Sequence, residues 1–173
     1  MKISTNSKKQ QGVTLIELVI SIVVLSIAMV AMMNSFSLSM SHSADPLWRS
    51  KTLKLTQLYL DEILAKNYDE LTPVGGMPFV ANPSCASLGP DGAETRATYD
   101  DVDDYHGISG SAPINQTGGS LDSSYDDYLI SVTVECDGDE VGASADIQAK
   151  KITVVVTPPN QSPMTFAAYK GNY

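Results

Sequence analysis

Residues 13–33 form a run of 21 residues in which Glu17 is the only ionisable side chain. As a helix rising about 1.5 Å per residue, the run is roughly 31 Å long, enough to cross a bilayer core. It needs a cover of lipid or protein, and that demand constrains the fold more than any other stretch. A charge at the centre of such a segment costs roughly 2.5–3.5 kcal/mol on insertion scales, so a retained carboxylate points to function and to a cationic partner. Lys2, Lys8 and Lys9 precede the run without any acidic residue, which holds the first 12 residues on the cytoplasmic side. A secretory signal peptide would need only about 7–15 apolar residues and a small-x-small cleavage site. Ser26-Ile27-Ala28 supplies such a site, but Glu17 inside the apolar core argues against that reading. A plain membrane anchor explains the length and not the residue order around Glu17.

That order is Gly12-Val13-Thr14-Leu15-Ile16-Glu17-Leu18 behind a short basic leader. It resembles the class III signal of type IV pilins and type II secretion pseudopilins. The resemblance implies cleavage between Gly12 and Val13 by prepilin peptidase and N-methylation of Val13. It also implies docking of Glu17 on the adjacent subunit during filament assembly. The family usually has Phe where this chain has Val13. The implied partners are other major and minor pilins, the peptidase, and an ATPase-driven assembly platform. The implied location is the inner membrane, crossed once by residues 13–33, with a periplasmic headpiece that reaches the cell surface in the pilus. The new amine on Val13 would lie four residues from Glu17 and suits a carboxylate in its own chain or in a neighbour.

The chain carries 11 basic and 20 acidic residues, a net of −9. Loss of the three leader lysines leaves 8 against 20, or −12. Such a surface repels nucleic-acid phosphates, so nucleic acid is not an expected partner, although Lys150-Lys151 offers a small local patch. Cys85 and Cys136 both fall in the part assigned to the outside, where an oxidising compartment favours a disulfide over two separate buried thiols. Closing that loop of about 50 residues would stabilise the fold by roughly 4 kcal/mol in the chain-entropy picture. Zinc is disfavoured, because two distant cysteines and the isolated His42 and His106 lack ligand spacing.

Ala44-Asp45-Pro46 reads as a helix restart, with Asp45 as N-cap and Pro46 in the first turn. The alternative is a proline within one long helix. Leu53, Leu60, Ile63 and Leu64 recur at helical spacing, with Leu55 and Tyr59 beside them, so 46–66 is an amphipathic helix that packs on a sheet. Residues 67–127 are broken by Pro73, Gly75-Gly76, Pro78, Pro83, Gly89-Pro90 and Gly118-Gly119. Within them 94–99 reads as a short strand. Residues 128–135, 151–157 and 164–169 carry strand signals, with the position of 154–156 at the edge or centre left open. The expected fold class is α+β, a type IV pilin fold in the family's terms: a long N-terminal helix packed on a small antiparallel sheet with a loop-rich headpiece. The expected organisation is a leader at 1–12, a membrane and filament-core helix at 13–43, and a headpiece at 44–173.

Two acidic clusters stand out, Asp100-Asp101-Val102-Asp103-Asp104 and Asp137-Gly138-Asp139-Glu140. Closely spaced carboxylates supply the hard oxygens that calcium needs, so Asp100, Asp101, Asp103 and Asp104 are candidate ligands, although neither cluster has EF-hand spacing. Without calcium no cofactor is expected. The segment 96–107 is similar to one found in minor pilins of mannose-sensitive haemagglutinin (MSHA) pili, as are residues 60–66 and the Ala44-Asp45-Pro46 step. That resemblance implies a low-abundance subunit of a surface pilus used in attachment, against the alternative of a minor pseudopilin. A third reading is a tip adhesin, with Tyr68, Tyr99, Tyr105, Tyr125 and Tyr128 as stacking platforms for sugar rings. No catalytic constellation can be assembled: His106 beside Asp104 reads as a hydrogen-bonded loop histidine, and no enzyme is expected.

Overall fold

The computed structural model describes residues 14–76 and 79–172, and their side chains except those of 37–46. The leader, Gly12 and Val13 lie outside the described residues, as does the side chain of His42. The chain falls into two compact units that divide between Leu47 and Trp48.

Helix α1 spans Leu15–Leu64 and runs through Pro46 without a break. The restart at Asp45 is therefore not what forms; the backbone takes the alternative of a proline within one helix. Proline removes one backbone donor and crowds the preceding turn, at a cost of about 3 kcal/mol. The good helix formers that follow, from Leu47 to Leu64, outweigh that loss.

In the second unit, Thr52, Leu55, Thr56, Tyr59 and Ile63 are buried along one helical face. The inward stripe is thus centred on Leu55, Tyr59 and Ile63, while Leu53 faces solvent and Leu60 and Leu64 flank the core. The two threonines settle their hydroxyls on carbonyls one turn back, Thr52 Oγ1 on Trp48 O and Thr56 Oγ1 on Thr52 O, both at 2.9 Å.

Four antiparallel strands follow: β1 (Ile108–Ser111), β2 (Leu129–Cys136), β3 (Ala149–Thr157) and β4 (Met164–Gly171), ordered in space as in sequence. β3 is interior, which places 154–156 in a central strand. Alternation on β2 and β3 sends Ile130, Val132, Val134, Ile152, Val154 and Val156 to one face, where they meet Leu55, Tyr59 and Ile63. This is an α+β arrangement. β1 was not among the expected strands, and its register with β2 is irregular. The segment 94–99 is not a strand: Thr98 N and Tyr99 N both donate to Thr95 O, which makes it a turn. Helix α1 has no basic residue in its last turn. Lys170 of β4 supplies the cation there, with Nζ 2.8 Å from Leu64 O.

Candidate functional site

Thr14 caps α1. Its Oγ1 accepts from Glu17 N at 3.4 Å and its carbonyl from Leu18 N at 3.1 Å. Thr-x-x-Glu at a helix start is half of a capping box, a local role for the Thr14–Glu17 spacing that the sequence itself carries. The Glu17 carboxylate also sits in the first turn, where the helix dipole favours negative charge. Ser21 and Ser26 donate to Glu17 O and Ile22 O, each at 2.8 Å, so both hydroxyls are satisfied within the helix. Leu15–Phe36, 22 residues long, is apolar and long enough to cross a membrane, and none of it is buried within the chain. A surface of this kind needs a cover of lipid or protein.

The acidic segment is built inward. Asp101 Oδ1 accepts from the N–H groups of Asp103 (2.9 Å) and Asp104 (3.2 Å). Asp104 Oδ2 accepts from those of Asp100 (2.9 Å) and Asp101 (3.2 Å). These bonds fold residues 100–104 into a turn that leaves Asp101, Asp103 and Asp104 buried and Asp100 exposed. The four expected calcium ligands are therefore divided among different tasks. Among the described residues, the acidic trios whose oxygens lie within 4.8 Å of one another are Glu94, Asp100 and Asp104, and Asp137, Asp139 and Asp146. Crowding of like groups shows around the first trio. The hydrogen bond with Asp104 raises the Glu94 carboxyl above its ordinary range, and the charge of Asp100 raises Glu70.

Asp103 instead pairs with Lys150, which is fully buried. Lys150 Nζ donates to Tyr68 O at 2.8 Å, lies 3.5 Å from Asp69 Oδ2, and sits 4.7 Å from the centre of the Tyr68 ring. Burial pushes the Asp101 carboxyl up to about 8, with the charges of Asp103 and Asp104 adding to the effect. A signal for Lys150 existed in the sequence: it is in phase with Ile152, Val154 and Val156, so it lies on the core face of β3. A second buried pair joins Arg96 Nη2 to Glu62 Oε2 at 2.9 Å. Tyr105 Oη donates to Glu62 Oε1 at 2.8 Å, and the guanidinium lies over the Tyr105 and Tyr59 rings at 4.4 and 4.9 Å.

A model of the prokaryotic N-terminal methylation motif matches residues 7–33. The chain carries a prepilin-type N-terminus. No curated protein and no solved structure matches the chain. The motif supports a type IV pilin-like protein and implies processing by prepilin peptidase and assembly with other pilins. With the apolar helix, it fits a protein that crosses the inner membrane once.

In the second unit, the remaining candidate residues serve packing. Tyr68, Tyr105 and Tyr128 are buried, which removes them as sugar platforms, and Tyr99 and Tyr125 pack edge-on against Tyr105 and Tyr128. His106 Nδ1 lies 2.9 Å from Val134 O and 3.2 Å from Val134 N, between loop and sheet. The Lys150-Lys151 basic patch does not exist: Lys150 is in the core and Lys151 pairs with Asp137 and Glu140. Cys85 and Cys136 are joined, with Cα atoms 5.8 Å apart, which ties the long loop to the end of β2.

Proposed function

We propose that the chain is a minor pilin of an MSHA-type type IV pilus, of the kind that minor pilin D represents, acting in pilus assembly or initiation and in surface attachment. The methylation-motif match over 7–33 supports the pilin-type part of this reading. The resemblance of the acidic segment 96–107 to MSHA minor pilins narrows it. The precursor waits in the inner membrane with its headpiece in the periplasm. Prepilin peptidase cuts between Gly12 and Val13, the freed Val13 amine is methylated, and Glu17 pairs with the amine of a neighbouring mature subunit. The apolar segment then exchanges lipid for the filament core. Both are similarly apolar, so the exchange costs little, and the ion pair serves register more than stability. In this reading the protein is a substrate of the peptidase and not an enzyme, and its headpiece works without a cofactor.

Glu17→Val should be inserted and cleaved but left out of filaments; normal incorporation would refute the docking role. The same signal serves pseudopilins, so a clean deletion is the test of the pilus assignment. Lost sheared filaments with normal enzyme secretion support it. Lost secretion would move the chain to the pseudopilus, and intact filaments with lost attachment would make it an adhesin.

A further inference from the structure

Lys150 is placed unusually for a lysine. It occupies the core face of β3, opposite Cys136 on β2, with none of its surface in water. Two carboxylates face its amine, and they differ. Asp69 is committed to the backbone, with Oδ1 accepting from Leu71 N at 3.1 Å and Oδ2 from Ser84 N at 2.7 Å. Asp103 meets Nζ directly, and its own N–H donates to the buried Asp101 carboxyl at 2.9 Å. A dry site penalises the ionic pair, and one proton passed from Nζ to Asp103 leaves a neutral amine against a neutral carboxyl.

We propose that Lys150 and Asp103 condense into an intramolecular amide bond, with the Asp101 carboxyl as the acid that activates Asp103. The Nζ lone pair attacks Asp103 Cγ and the Nζ–Cγ bond forms. Asp101 gives its proton to the departing oxygen, the Cγ–O bond breaks, and water leaves. Asp101 then recovers a proton from Nζ. One ammonium and one carboxylate become one amide and one water, with no oxidant or cofactor required. Asp101 is buried, and its Oδ1 holds the N–H groups of Asp103 and Asp104, so its carboxyl is fixed beside that of Asp103. Fixed contact replaces a bimolecular encounter, and exclusion of water favours the amide over hydrolysis. The bond would join the turn at Asp103–Tyr105 to β3, next to the disulfide anchor at Cys136.

The test is the mass of the full-length protein, purified in detergent, reduced and denatured. It should fall about 18 Da, one water, below the value for its processed sequence. Trypsin reports the site, because Arg96 and Lys150 are consecutive basic residues. In bonded protein trypsin no longer cuts after Lys150, and peptide 97–151 carries the deficit between Asp103 and Lys150. Asp101→Asn should restore full mass and cleavage while circular dichroism stays unchanged; a bond that still forms would overturn the role of Asp101. Wild-type protein of full mass, cut after Lys150, overturns the proposal. So does a deficit mapped to Asp91-Gly92 or Asp137-Gly138 with Lys150 still cut, which marks a cyclic imide.

Discussion

Glu62 forms a buried charge pair with Arg96, and replacing it should be far more damaging than replacing its partner. Glu62→Leu leaves Arg96 charged, because a guanidinium keeps its proton. Arg96 and Glu62 side chains are each 7% exposed, so water does not take over the solvation of Arg96. Removing one member of such a pair costs about 3–5 kcal/mol, and the Tyr105 hydroxyl loses its acceptor for about 1 kcal/mol more. At 2–4 °C per kcal/mol for a chain of this size, the melting temperature should fall by roughly 10–20 °C. Arg96→Met is milder, because Glu62 keeps the Tyr105 hydroxyl as a hydrogen-bond donor. The double variant Glu62→Leu/Arg96→Met, with no charge left to bury, should be more stable than Glu62→Leu alone. Urea unfolding of the four full-length proteins in detergent, followed by tyrosine circular dichroism, measures all three effects. A loss below about 1 kcal/mol for Glu62→Leu, or a double variant equal to the sum of the singles, would refute the argument.

Three further outcomes follow from other parts of the headpiece. The native Asp101 carboxyl keeps its proton up to about 8, whereas an unfolded one loses it near about 4. The native state therefore binds the extra proton, and this component of stability falls as pH rises from about 4 to about 8 and is level above. Asp101→Asn should flatten that slope in urea midpoints taken from pH 5 to 9. Gly138→Ala should cost about 1–3 kcal/mol through overpacking, since an added Cβ would meet Ala145 O at 2.4 Å; an unchanged urea midpoint would show that the 137–148 loop yields freely. Reduction of Cys85–Cys136, 51 residues apart, should lower stability by about 4 kcal/mol without loss of the sheet's circular dichroism signal.

The parts of this molecule that were legible in its sequence are those governed by period and composition. The apolar run with Glu17, the β-branched strands β2 and β3, the weaker β4 and the pairing of Cys85 with Cys136 all obey local or compartment rules. β1 escaped because Ile108-Ser109-Gly110-Ser111 has one apolar residue and no alternation; it is a strand only because β2 offers it an edge. The turn at 100–104 escaped for the opposite reason. A run of aspartates reads as solvated charge, yet here the carboxylates replace the missing backbone partners of a tight turn and one of them meets a buried lysine. Pro46 by its own chemistry allows either a boundary or a place within one helix, and the helix around it decides the outcome.

The sequential order of the sheet also sets a timetable. Leu55, Tyr59 and Ile63 are synthesised before their partners on β2 and β3, which begin at Ile130 and end at Val156 in the core. At about 5–20 residues per second, that stripe waits roughly 3–20 s for its cover. Cys85 waits similarly for Cys136, and the α1 carbonyl at Leu64 waits longer still for Lys170. The nascent headpiece is thus an exposed helix before it is a domain, and a transient shield over Leu55, Tyr59 and Ile63, from a holding chaperone or a membrane surface, would govern how much of it matures.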